Sequence, residues 1–198
     1  MPIVPPAMVA AMQGHWAGLG WIGVNMAVMA TAIGTGAGVG MVGATFETAD
    51  AGTGIAPGAG IGTGITIIEA ALSGAMFSAM LLKFPPGGAD LADFCDGIAK
   101  GIKAGLDTAS LVSVHEECYV GVGIVTGGVV FAGSGISSGI KDAAPTFTGD
   151  NWADVCEVIG TEIQNIGLTA IGQVVITGTP PGAPVTAPPT ASGTGVIA

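Results

Sequence analysis

The sequence predicts an α-rich α+β fold: short Ala/Gly helices with extended Gly-rich arms, and an internal duplication of a helix-plus-arm unit. Three observations carry that expectation. Residues Asp90–Ile102 (DLADFCDGIAKGI) return near the end of the chain as Asn151–Ile163 (NWADVCEVIGTEI), with Ala92/Ala153, Asp93/Asp154, Cys95/Cys156, Ile98/Ile159 and Ile102/Ile163 identical. Self-similarity at a fixed spacing marks a repeated structural unit. The 36 glycines concentrate in Gly-x-Gly runs, which suit neither helices nor regular strand interiors. Finally, charged residues make up 9% of the chain, against roughly 25% in an average soluble domain. One copy has too few charges to cover its own surface, so part of that surface is expected to lie against other chains or a bilayer.

The charge balance excludes some partners. With four Lys, no Arg, fourteen acids and a net charge of −10, no basic stripe exists to neutralise phosphates, which argues against nucleic acid. It argues equally against attraction to anionic lipid. Cys95, Cys118 and Cys156 are an odd number and do not suit a disulfide scaffold. The start, MPIVPPAMVAAMQGHW, lacks the basic stretch of a secretory signal and carries prolines where its apolar run should begin.

Residues 1–64 read as an apolar N-terminal helix followed by a Gly-rich arm. Trp16–Ile33 is charge-free and at the threshold length for a membrane-spanning helix. Asn25 in its middle, glycines at 18, 20 and 23, and the absence of flanking Lys favour a helix buried in an assembly instead. Gly34–Gly64 then reads as an extended arm or loose hairpin.

Residues 65–125 form the first repeat unit. Ile65–Phe84 has helical spacing, with Ile68, Leu72, Met76 and Met80 in one stripe, and Pro85-Pro86-Gly87-Gly88 ends it. Asp90 is the expected cap of the next helix, with Asp93 three residues on. Its apolar face is Leu91, Phe94, Cys95, Ile98, Ile102 and Leu106; Asp93, Asp96, Lys100, Lys103 and Asp107 lie opposite. LVSVHEECYVGVGIVTGGVV, rich in β-branched residues and Gly, predicts one or two strands ending in a Gly turn.

Residues 126–178 form the second unit. Ser134–Ile140 (SGISSGI) echoes Ser73–Met80 (SGAMFSAM) at the spacing of the longer repeat. Asn151 caps a helix whose apolar face is Trp152, Val155, Cys156, Ile159, Ile163 and Ile166, and Val174–Thr177 is a short strand. Residues 179–198 are an extended Pro/Gly/Thr tail, since Pro180, Pro181, Pro184, Pro188 and Pro189 exclude helix. Its Val-Ile end is expected to dock on a neighbouring subunit.

Chemical motifs are sparse. Gly38, Gly40 and Gly43 match GxGxxG literally, but no strand is predicted before them and no helix after. Cys95, His115, Cys118 and Cys156 contain the donor types of a zinc site, yet no CxxC knuckle is present. Cys95 and Cys156 fall on apolar helix faces, where reduced core cysteines are expected; a disulfide between them is the other reading. His15 and His115 are the only imidazole bases. His15, beside Trp16 in an apolar run, reads as a hydrogen-bonded structural histidine, and Cys118 near His115 has no third orienting group. Glu116-Glu117 reads as a solvated corner, and Asp93/Asp96 as helix-start acids. The sequence therefore predicts no catalytic, cofactor or metal site.

Short Ala/Gly helices, Gly-x-Gly arms, a duplicated element and a tail ending in GTGVIA resemble, in texture, the glycine-rich structural virion proteins of tailed bacteriophages. The resemblance implies a non-enzymatic subunit of a tail, baseplate or neck, located in the virion. Its partners would be other structural subunits, with a homo-oligomer in a ring or particle and no nucleic acid. The alternative is a membrane-embedded or membrane-inserting protein, with residues 16–46 and 65–84 entering lipid.

Overall fold

A computed structural model describes residues 5–41, 44–51, 58–82, 89–115, 120–167, 172–177 and 190–197. In chain order the elements are α1 (Pro5–Gly18), α2 (Val24–Met41), β1 (Thr45–Ala51), β2 (Gly58–Thr66), α3 (Glu69–Leu81), α4 (Ala89–Asp107), β3 (Ser110–His115), β4 (Val120–Val130), α5 (Gly133–Ala143), α6 (Asp150–Gly167), β5 (Gly172–Thr177) and β6 (Thr190–Ile197). The class is α-rich α+β, as expected from the sequence.

The strands close into an antiparallel barrel in sequence order, with β6 completing the circle between β5 and β1. The helices form three hairpins, α1–α2, α3–α4 and α5–α6. Each packs on the next, and α6 returns to meet α1. Short connections join helices to strands at Met41–Thr45, Thr66–Glu69, Asp107–Ser110, Val130–Gly133 and Gly167–Gly172. Because neighbouring strands run antiparallel, these junctions all fall on one rim. The ring of helices therefore sits over one end of the barrel.

One hydrophobic core spans both layers. Ala44, Phe46, Ile65, Ile67, Ala109, Leu111, Val129 and Phe131 are buried at the junction with the helices. Along the strands, Thr45, Thr66, Ser110, Val112 and Val130 alternate outward, as a pleated sheet with one buried face requires. In the ladder the buried Leu111 pairs with Gly62, itself buried, and the buried Phe46 pairs with Gly195. An eight-stranded barrel has an interior just wide enough for side chains. Six strands enclose less, and a glycine adds no side chain to that space. Gly64 acts on the backbone instead. At φ 72° it is the extra residue between the Phe46–Ile65 and Glu47–Thr63 pairs, and its N–H donates to the Ala109 carbonyl at 2.8 Å. That is a bulge in which a left-handed glycine bends the strand.

Several expectations are corrected. Trp16–Ile33 is not one helix. The chain reverses between Gly18 and Val24, with Gly20 at φ 83° and Gly23 at φ 143°, and the Trp21 N–H donates to the Trp16 carbonyl at 2.8 Å. Among the described residues no helix is long and apolar enough to cross a membrane. Gly34–Gly64 is not a free arm either: residues 34–41 complete α2, and β1 and β2 form a barrel hairpin. The helical glycines there are required by contact, since a Cβ on Gly36 would lie 2.2 Å from Met76 Cγ and one on Gly40 2.6 Å from Leu72 Cβ. Thr190–Ile197, expected to dock on a neighbour, instead pairs with β1 and β5 of its own chain. The prolines between 178 and 189 lie outside the described residues. The unit boundaries expected at 64/65 and 125/126 fall inside β2 and β4.

The amphipathic helices follow their predicted faces. On α4, Cys95, Ile98, Ile102 and Leu106 are buried; on α6, Val155, Cys156, Ile159 and Ile163 are. Phe94, Phe147 and Trp152 form an aromatic cluster with centroids 5.3–5.7 Å apart. On α3, Leu72, Met76 and Met80 are buried, but Ile68 stands just before the helix and is 71% exposed.

Candidate functional site

Among the described residues, those that the sequence singles out for chemistry form no cluster. Cys95 and Cys156 are buried free thiols on α4 and α6. Burial, with Asp96 adding to it, pushes the Cys95 thiol up to about 12. Burial pushes Cys156 up to about 11, against an opposing pull from Lys141 and a backbone hydrogen bond. Neither is poised as a thiolate nucleophile or metal ligand. His115 contributes its backbone to the end of β3, while Glu116, Glu117 and Cys118 lie outside the described residues. Among the described residues no group of three or more His, Cys, Asp or Glu could hold a metal ion. Gly38 and Gly40 are inside α2 and Gly43 is outside the described residues, so no strand-to-helix phosphate loop is formed there. Asp93 and Asp96 are exposed on α4, and Asp96 accepts a hydrogen bond from the Ser73 hydroxyl of α3.

Two surface features remain. The first is the distribution of exposed apolar side chains. Among the described residues of the helical layer Leu19, Ile22, Val24, Val39, Ile68 and Leu82 are the large exposed hydrophobics, with Ile22 and Leu82 each 80% exposed. All belong to α1–α3 or their immediate flanks. From Pro5 to Leu81 those helices carry only His15 and Glu69 as titratable groups. Beside them Met26, Met29, Met80, Leu91 and Phe94, with Asp90 among the other lining residues, form an open, mainly apolar cleft of about 380 Å³. On the barrel wall, Ile61 pairs with Val112 in the ladder, and both are exposed together with Val114.

The second feature is the seam where α1 closes on α6. Glu162, only 6% exposed, receives His15 Nδ1 at 2.8 Å and a longer contact from Asn165 Nδ2 at 3.4 Å. A cleft of about 320 Å³ runs along the seam, lined by His15, Gly18 and Leu19 of α1 and its turn and by Asp154, Glu157 and Thr161 of α6, among others. The adjacent Trp16 is fully buried, and its indole N–H has no partner among the described residues. Sequence reasoning passed over Glu162. The available signal was an acid inside an apolar stripe, one residue before Ile163 and three after Ile159. No protein-family model, no curated protein and no solved structure matches the chain.

Proposed function

We propose that this chain is a non-enzymatic structural subunit of a large symmetric assembly, of the kind that builds the tail, baseplate or neck of a tailed-phage virion. The supporting observation is the nearly charge-free outer surface of α1–α3, whose titratable groups are His15 and Glu69. A helix that is apolar all round belongs against other protein or lipid, and exposed apolar patches of this kind mark interaction sites. Neighbouring subunits seated on Ile22, Val24 and Leu82 would cover it.

Internal repetition fits the same reading. Gly36 meets Met76 and Gly40 meets Leu72 where α2 crosses α3; Gly101 meets Ile140 and Gly105 meets Ile136 where α4 crosses α5. The pairs lie in the same order along both crossings. The match of Ser73–Met80 with Ser134–Ile140 is better drawn three residues later, equating Leu72 with Ile136. With the Asp90–Ile102 and Asn151–Ile163 correspondence, this suggests three copies of a helical hairpin flanked by barrel strands, a subunit suited to a ring of matching symmetry.

The test is Ile22→Asp combined with Leu82→Asp, followed by light scattering and by incorporation into particles. Loss of assembly with unchanged helical content is the expected result. A wild-type chain that stays monomeric at every concentration and enters no particle would overturn the proposal. The second reading, insertion into lipid, is favoured by the turn itself, where Trp21 is half-buried beside exposed Leu19, Ile22 and Val24. Co-flotation with neutral phosphatidylcholine vesicles, lost in the same double variant, would select it.

A further inference from the structure

We infer that the mainly apolar cleft between α2, α3 and α4 seats a basic amphipathic helix of another protein, whose apolar side chains enter the cleft while its lysines or arginines meet the acids around it. The inference rests on the assembly reading for the existence of a partner and adds that partner's chemistry.

The helices fix where the cleft lies. Met26 and Met29 stand in the first two turns of α2, Met80 at the end of α3, and Leu91 and Phe94 at the start of α4. The junctions to the strands are at the opposite ends of these helices, at Met41–Thr45, Thr66–Glu69 and Asp107–Ser110. The cleft is therefore at the end of the helical layer away from the barrel. Val24 and Leu82, two residues from Met26 and Met80, are 78% and 80% exposed, so the apolar surface continues beyond its mouth. Methionine supplies three of the lining side chains, and this unbranched, polarisable residue adapts to irregular partners. A volume of about 380 Å³ takes the apolar anchors of a helix laid across the opening, as in helix-in-groove recognition.

The charges at this end are one-sided. Asp90 lines the cleft, and Asp93 is exposed one turn further along α4. Asp142 near the end of α5 and Asp150 and Asp154 at the start of α6 belong to the same end of the layer, where Lys141 is the one lysine among the described residues. Ring contacts of Phe94 with Phe147 and Trp152 join this acidic flank to the cleft. Such a surface discriminates between occupants. A second copy, itself of net charge −10, would set like charges together. Anionic lipid is repelled, and neutral lipid would cover the apolar floor but leave the acids without counter-charges. A basic amphipathic helix matches floor and rim at once. Only the first two turns of α4 take part; Lys100, Lys103 and Asp107 lie nearer the barrel, outside the seat.

Fluorescence anisotropy on the isolated full chain tests the inference, using a labelled synthetic helix with leucine at i, i+3, i+4 and i+7 and lysine elsewhere. It should bind at least about tenfold tighter than the same peptide with glutamate for lysine or serine for leucine. Asp90→Asn with Asp93→Asn should weaken binding at least about threefold at low salt and less at high salt. Glu69→Gln with Asp107→Asn, the same change of charge at the barrel end, should leave it unaltered, and Met29→Gln should weaken it at either salt concentration. Equal binding of the lysine and glutamate peptides would overturn the inference. So would an equal loss in the barrel-end pair, which is attraction to net charge alone. Displacement of the peptide by excess unlabelled chain would make the occupant a second copy, and displacement by phosphatidylcholine vesicles would make it lipid; either overturns it. Should Met29→Gln fail to fold, the exposed aspartates decide. Light scattering of the chain without peptide reads the assembly separately: a chain that associates but does not bind the peptide fails this inference alone.

Discussion

α1, α2 and α3 bury and expose the same kinds of residue, whereas α4, α5 and α6 keep them apart. Met8, Met12, Ile33, Leu72 and Met76 face the core, but Leu19, Ile22, Val24, Val39 and Leu82 lie at the surface around them. On α4 and α6 the buried row Cys95, Ile98, Ile102 and Cys156, Ile159, Ile163 is backed by exposed Asp93, Lys100, Asp107 and Glu157. Both halves occupy equivalent places in one ring, so the demands of the core are similar. On the proposed assembly reading the difference is imposed from outside: solvent covers α4–α6, while neighbouring subunits cover α1–α3.

The largest expected contrast lies inside the ring, at the two glycine crossings. A Cβ on Gly101 would stand 2.4 Å from the Ile140 backbone nitrogen, whereas one on Gly36 chiefly meets the flexible Met76 side chain. Backbone cannot step aside as a methionine does. Gly101→Ala should therefore destabilise the protein by about 3 kcal/mol or more, as severe overpacking does. Gly36→Ala should cost about 1 kcal/mol, its strain partly offset by the better helix propensity of alanine. Chemical denaturation of both variants checks this, and equal losses would mean that the two crossings are not packed differently.

How much of this could be read from the sequence also divides between the halves. α4 and α6 were legible because polar and apolar residues alternate with helical spacing, so Asp93 and Cys95 each imply a face. The α1–α2 turn was not, because Gly18, Gly20 and Gly23 interrupt an apolar run without any change in polarity. The barrel was least legible. Its ladder joins Phe46 to Gly195 and Thr48 to Gly193, far apart along the chain, and Gly-x-Gly strands carry little of the β-branched signal by which strands are recognised. The His15–Glu162 contact was invisible because it depends on which helix closes the ring.

Alkali should act on Cys95 and Cys156 alike. Their thiols remain protonated in the folded chain up to about pH 12 and 11, against 9.0 when exposed. Below pH 9 both are neutral in either state and no stability depends on them. Above it the unfolded chain loses thiol protons first, so stability falls as pH rises through the window to the folded values. Between about pH 8 and 10.5 the unfolded thiols ionise while both folded ones stay mostly protonated, so Cys95→Ala and Cys156→Ala should each flatten the slope by a similar amount. Urea titrations over that range measure this, and a slope left unchanged in either variant would contradict the burial of that thiol.

The smallest effect is expected on the solvated face of α4, and it sharpens the comparison most directly. Lys103 Nζ contacts both Asp107 carboxylate oxygens, at 2.6 and 2.9 Å, across one helical turn at the surface. Such a pair stabilises a helix by only about 0.3–0.5 kcal/mol. Lys103→Ala should shift the denaturation midpoint by no more than that and leave assembly intact. If α4 were instead part of the docking surface, removing its cation would change association without changing stability. Light scattering of Lys103→Ala beside the Ile22→Asp/Leu82→Asp chain thus tells whether the two halves differ in what covers them or only in composition.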